Sequence, residues 1–192
     1  ITHLRAKGYS DALLIRSGLA TSLDGRPAID RFRNRLIIPI ARESGSVIAF
    51  GARALQPGQQ PKYLNSPETS IYSKARTLYG LSLSKRAIRE AGYAVMVEGY
   101  FDLAQAVQAG VTPVVASCGT AVTEQQVRLL KRFTSKVIVS FDPDPAGQGA
   151  SARSGELLLS EGFQVNVTVL ADGEDPDTCI RKHGIAGYSK KL

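Results

Sequence analysis

The sequence predicts an α/β fold: a parallel sheet flanked by helices, preceded by a smaller, basic subdomain of mixed α/β character. Three observations predict it. Short Val- and Ile-rich runs recur at 95–97, 111–116, 137–139 and 165–170, separated by stretches long enough for helices; this is the pattern of buried parallel strands joined by crossovers. Two of these runs break abruptly into acid, at Glu98 and at Asp142. Charge is also divided along the chain. Residues 1–90 hold 15 Lys+Arg against 6 Asp+Glu, a net of +9, and residues 91–192 hold 9 against 11, a net of −2. A basic half joined to an acidic half suits a polyanion on one surface and metal ions in the other. The plain alternative is that surplus Lys and Arg keep a surface soluble.

At 192 residues the chain can bury a sizeable core. With only Cys118 and Cys179, neither a disulfide framework nor a four-Cys zinc site is available. His3 and His183 stand at opposite ends and form no ligand cluster. No apolar run reaches the length of a membrane span and no signal-peptide pattern opens the chain, so no membrane partner and a cytoplasmic location are expected. The start at Ile1 instead of Met reads as a cut fragment.

In order, Ser10 caps a short helix that Gly18 ends, and Asp24-Gly25-Arg26-Pro27 is a turn. The basic run Asp30–Arg35 enters a strand ending near Ile40, and Val47–Arg53 is its hairpin partner across Ser44-Gly45. A Gln/Pro/Gly loop follows, then Pro61–Thr69, an irregular stretch with Leu64 expected inside; such a loop is either functional or a structural surface loop. A helix over about 84–91 leads to Gly92, where the subdomain boundary is expected, giving 1–91 and 92–182 with a frayed basic tail over 183–192. Within the second part, helices are expected over 103–109, from the Thr123 cap through Val127, Leu130 and Phe133, and over 150–162. Ser117–Thr120 reads as a small-residue turn, in which Cys118 has no His partner nearby and reads as an inert small residue.

The carboxyl ends of parallel strands form the ligand crevice of such sheets. Glu98, Asp142 and Asp144 would gather there, a crowding of charge that Mg²⁺, with its preference for oxygen ligands, relieves. Asp144 before Pro145 also fits a helix N-cap, and so does Asp175 before Pro176 in a third acidic turn, 172–177.

The motifs Val97-Glu98-Gly99-Tyr100-Phe101-Asp102, Ser117-Cys118-Gly119-Thr120-Ala121 and Phe141-Asp142-Pro143-Asp144-Pro145-Ala146-Gly147 together resemble the Toprim metal-binding module. Phe32-Arg33-Asn34-Arg35, Gly51-Ala52-Arg53 and Lys62–Thr69 precede it, and in this order the chain resembles the catalytic core of bacterial DnaG-type primases. The resemblance implies a Toprim-type sheet and template-directed synthesis of RNA primers on single-stranded DNA by two-metal nucleotidyl transfer. It implies Asp142 and Asp144 as metal ligands, Glu98 as a shared ligand or proton acceptor, Asp102 as an orienting residue behind them, and Asp175 and Asp177 as ligands of a further ion, so two or three Mg²⁺ or Mn²⁺ in all. It also implies that Arg33, Arg35, Arg53, Lys62, Asn65 and Lys74 contact the nucleoside triphosphate or the template backbone, with Tyr63 stacking on a base.

Primases of this type usually carry Gly between the two aspartates and a basic residue after the second; here Pro143 and Pro145 stand there, and Pro fixes φ and removes an N–H. Whole relatives are expected to add a zinc module, a helical end to the core and a domain for the replicative helicase, so this piece alone is expected to prime weakly. A Toprim nuclease or a non-catalytic nucleic-acid-binding module is the alternative. A haloacid-dehalogenase-type phosphatase, whose motif Phe141–Asp144 resembles, is weakened by Pro145 and by the few residues that follow.

Overall fold

The computed structural model describes residues 1–22, 26–118, 121–171 and 173–192. The turn expected at Asp24-Gly25, the end of the Ser117–Thr120 turn and Asp172 lie outside the described residues. The chain divides into two compact units, residues 1–41 with 46–73 and residues 42–45 with 74–192.

The first unit opens with α1 (Thr2–Ala6) and α2 (Asp11–Arg16), the latter capped by Ser10, whose Oγ accepts from Leu13 N–H. β1 (Ala20–Thr21) and β2 (Ile29–Asp30) pair antiparallel. β3 (Arg35–Ala41), β4 (Val47–Ala54) and β5 (Tyr63–Asn65) form an antiparallel sheet in that order. β5 falls inside the stretch expected to be an irregular loop. Its register sets Tyr63 opposite Arg53 and Asn65 opposite Gly51. The following Ser66 is buried and locks the strand end, donating its N–H to Phe50 O and accepting Phe50 N–H on its hydroxyl. Leu64, expected inside, is half-buried and stands opposite Ala52 across the ladder.

The second unit is the α/β layer. After a single 3₁₀ turn (Lys74–Arg76) come α3 (Leu81–Ala91), β6 (Ala94–Val97), α4 (Tyr100–Gln108), β7 (Val114–Ala116), α5 (Glu124–Lys131), β8 (Lys136–Val139), α6 (Pro145–Ser160), β9 (Gln164–Val167) and α7 (Pro176–Ser189). The four strands are all parallel in the order β7-β6-β8-β9. β6 and β7 are buried at every residue, as continuous apolar runs covered on both faces should be. Leu81 and Ile88 of α3, Val127 and Leu130 of α5 and Leu158 of α6 join Met96, Val115, Val137 and Val139 in one core.

Several boundaries differ from the expected ones. The compact units divide at 73/74, with α3 packed on β7 and its Leu81 and Ile88 in the core of the second unit. β7 begins only at Val114, because Pro113 has no N–H to give the ladder. α6 starts at Pro145, five residues before the expected start, directly behind its Asp144 cap. The tail expected to fray over 183–192 is helical through Ser189. α7 bends at Gly184, whose φ of 66° and ψ of −178° are open only to glycine. Beyond the bend Tyr188 is fully buried and donates its hydroxyl to Ser140 Oγ at 2.9 Å.

Candidate metal and nucleotide site

The chain leaves β6 for β7 on one side and returns to β8 on the other, so the strand order reverses between the carboxyl ends of β6 and β8. Ligands of open α/β sheets bind at that point. Glu98 follows β6 and Asp142 follows β8. Asp142 N–H donates to Glu98 Oε1 at 3.2 Å. Two helices then turn acids inward from their first turns. Asp102, at the third position of α4, accepts the Gly99 N–H at 3.0 Å as a capping residue. Asp175 caps α7 by accepting Thr178 N–H at 2.7 Å. Because α7 packs along α4, the carboxylates of Asp102, Asp142 and Asp175 converge, with one oxygen of each within 4.8 Å of the others.

Three of the acids at the crevice titrate high. Burial pushes the Asp102 carboxyl up to about 6, helped by the charges of Asp142 and Asp175 and opposed by the N–H groups of Gly99 and Asp177. Burial also raises Asp142, with Asp175 and Asp144 adding to it. Glu98 is raised by burial first and then by Asp142 and Asp144, against the bond from Asp142 N–H. Asp142 Oδ1 is buried and accepts no hydrogen bond. A buried, unpaired carboxylate oxygen among like charges is costly without a cation. The donor set is all oxygen, which suits a hard divalent cation such as Mg²⁺ or Mn²⁺; the residues therefore fit the ion that the acidic motifs imply.

The other expected ligands sit differently. Asp144 caps α6, with Oδ1 accepting Gly147 N–H at 2.7 Å. Asp177 pairs with Arg181 Nε at 2.8 Å and gives its backbone N–H to Asp102. Neither belongs to the converging trio. Asp102, expected as an orienting residue, does. Both prolines of the acidic turn find places: Pro145 takes the first position of α6, and Pro143 O accepts from Gln148 Nε2 at 2.7 Å. Gly147 is a residue that sequence reasoning passed over. A Cβ there would lie 2.2 Å from Asp142 O and 3.0 Å from Glu98 Oε1, so only glycine lets α6 approach both acids.

In the first unit, Arg53 and Lys62 each stand 5.9 Å from the Tyr63 ring, a cationic and aromatic surface on the β4–β5 sheet. Arg33 and Arg35 are occupied locally: Arg33 donates to Asp30 O at 3.1 Å, and Arg35 to Pro61 O at 2.7 Å. Asn65 O accepts from Arg31, a residue outside the expected set, at 3.2 Å. Lys74 lies in the second unit, in the 3₁₀ turn.

The DNA primase catalytic core N-terminal domain model matches residues 1–85, and the Toprim-like model matches 95–180. The DNA primase of Clostridium acetobutylicum is 44% identical over 191 residues, 99% of this chain and 31% of that one. The chain belongs to the DnaG-type DNA primase family. Among solved structures, the zinc-binding and RNA polymerase domains of Aquifex aeolicus primase superpose with a TM-score of 0.91 at 37% identity, covering 98% of this chain and 47% of that one. A DnaG primase catalytic domain bound to single-stranded DNA gives 0.88 at 39% identity, covering 98% and 60%. The chain thus spans about a third of the length of the curated relatives it matches, 31% in the Clostridium case. Membership in this family removes the dehalogenase-type phosphatase reading, and among the described residues no helix is long and apolar enough to cross a membrane.

Proposed function

We propose that this chain is the metal- and nucleotide-binding part of a primase catalytic core, a nucleotidyltransferase that joins nucleoside triphosphates into short RNA primers on a single-stranded DNA template. The convergence of Asp102, Asp142 and Asp175 around the orphaned Asp142 Oδ1 carries the reading. Those three would hold one divalent ion, with Glu98 and Asp144 beside them for a second, and Asp177 close by on α7. Divalent ions in such a site neutralise triphosphate charge and lower the pKa of a bound hydroxyl. Glu98, with its raised pKa and one oxygen bonded to Asp142 N–H, is suited to hold the proton lost by the primer 3′-hydroxyl. The Gly99 and Asp177 N–H groups fix Asp102 in one orientation, so its oxygens are in place before any ion arrives.

The Arg53, Lys62 and Tyr63 surface supports contact with phosphate and base, and the one DNA-bound relative described above supports a single-stranded template. Arg35 would act by holding the loop at Gln60 and Pro61, and Arg33 by its bond back to Asp30 O. A replicative helicase as partner, a cytoplasmic location and weak priming by this piece alone go with that reading.

The experiment is ATP binding with and without Mn²⁺, on this chain and on Asp142→Ala. Mn²⁺-dependent binding that the variant loses is the expected result. Binding indifferent to both metal and substitution would sink the reading and leave a basic nucleic-acid-binding module. Mn²⁺-dependent DNA cleavage would point to the nuclease instead.

A further inference from the structure

Thr123 and Gln126 satisfy the capping box of α5 with half of their hydrogen-bonding capacity. Gln126 N–H donates to Thr123 Oγ1 at 3.2 Å, and Gln126 Oε1 accepts Thr123 N–H at 3.1 Å. The remaining donors go elsewhere, to a segment about fifty residues upstream. Gln126 Nε2 donates to Lys74 O at 3.0 Å and to Thr77 O at 2.9 Å, while the Thr123 hydroxyl donates to Ala75 O at 2.6 Å. Three carbonyls of the turn carrying Lys74 and Arg76 are thus held by two side chains of one helix start. Gln126 is fully buried, so these bonds are shielded from competing water.

Capping does not explain this arrangement. A glutamate at position 126 would serve the cap equally, because the cap uses only an acceptor there. The two bonds to the turn require the amide nitrogen, which only glutamine brings. The turn itself is short: Thr77 N–H donates to Lys74 O at a long 3.3 Å, and a single 3₁₀ turn has little stability of its own.

We infer that Gln126, with Thr123, is a positioning residue that fixes the Lys74–Arg76 turn so that Lys74 meets the triphosphate at a set place. The inference rests on the proposed reading of Lys74 as a phosphate contact. It acts through the backbone of the turn and gives Gln126 no contact with substrate.

The test is a double-substitution cycle read by mant-ATP binding in Mn²⁺, with Gln126→Met, Thr123→Val and Lys74→Ala, and with the melting temperature and nucleotide-free Mn²⁺ affinity of each variant as controls. Gln126→Met is expected to weaken mant-ATP binding about fivefold beside Lys74 and less than about twofold in the Lys74→Ala background, with Mn²⁺ affinity unchanged. If Gln126→Met does not fold, Thr123→Val, which removes only the bond to Ala75 O and the cap acceptor, decides by the same pattern. Equal weakening in both backgrounds overturns the inference, because the effect would then not pass through Lys74. No weakening by either variant, with Lys74→Ala still costly, overturns it and leaves the reading of Lys74 standing. A Lys74→Ala variant that binds normally removes that reading, and the inference with it.

Discussion

Asp102→Asn offers the most direct reading of the acidic crevice. The Asp102 carboxyl rises from 3.8 to about 6 on folding, chiefly through burial and then through Asp142 and Asp175. A folded pKa above the unfolded one means that the folded state holds the proton more tightly. Its contribution is therefore fully present below about pH 4, is lost as pH rises toward 6, and stays lost above. At about 1.4 kcal/mol per unit, ionising Asp102 costs the metal-free fold on the order of 3 kcal/mol at pH 8. Asparagine removes that charge. Like the protonated acid, it still offers an oxygen to the backbone N–H groups of Gly99 and Asp177, so little changes where Asp102 is already neutral. In EDTA the variant should accordingly be more stable than the parent by about 3 kcal/mol at pH 8, roughly 8 °C in melting temperature, and nearly equal to it at pH 4. The assay is thermal or urea unfolding in chelator at both pH values. The growth of the gap with pH is the signature. A variant destabilised equally at pH 4 and pH 8 would refute the claim that like charges crowd Asp102. Adding Mn²⁺ at pH 8 should favour the parent more than the variant.

Three further outcomes follow from the same geometry. Excess Mn²⁺ should raise the parent's melting temperature more at pH 8 than at pH 5, because ligands with raised pKa values must shed protons to bind; an equal rise at both would count against these carboxylates as the ligands. Gly147→Ala places a methyl 2.2 Å from Asp142 O, and should cost about 1–3 kcal/mol together with a tenfold or greater loss of Mn²⁺ affinity by titration. Tyr188→Phe should cost about 1 kcal/mol in urea unfolding, from the buried bond lost to Ser140, while retaining the fold by circular dichroism.

Much of the site was legible in the sequence because its signals are local. Apolar runs that stop at Glu98 and Asp142 place those acids at strand ends whatever the strand order. Asp144-Pro145 and Asp175-Pro176 mark helix starts, since an acid that accepts N–H groups followed by a residue lacking one satisfies that end of a helix. Thr123 and Gln126 announce a capping box in the same way. Net charge separates the basic first half from the acidic second without any structure.

Which acids meet is a different matter. Asp102 looks like one polar residue on a helix turn until α7 packs along α4 and brings Asp175 to it, while Asp144 and Asp177, equally acidic in the sequence, spend an oxygen on Gly147 N–H and on Arg181. The β5 pairing, the return of Tyr188 to Ser140 past Gly184 and the second use of Gln126 were hidden for the same reason. Each is a contact between residues distant in sequence, decided by long-range packing and hydrogen-bond satisfaction, whereas strand ends, caps and charge balance are set by neighbours along the chain.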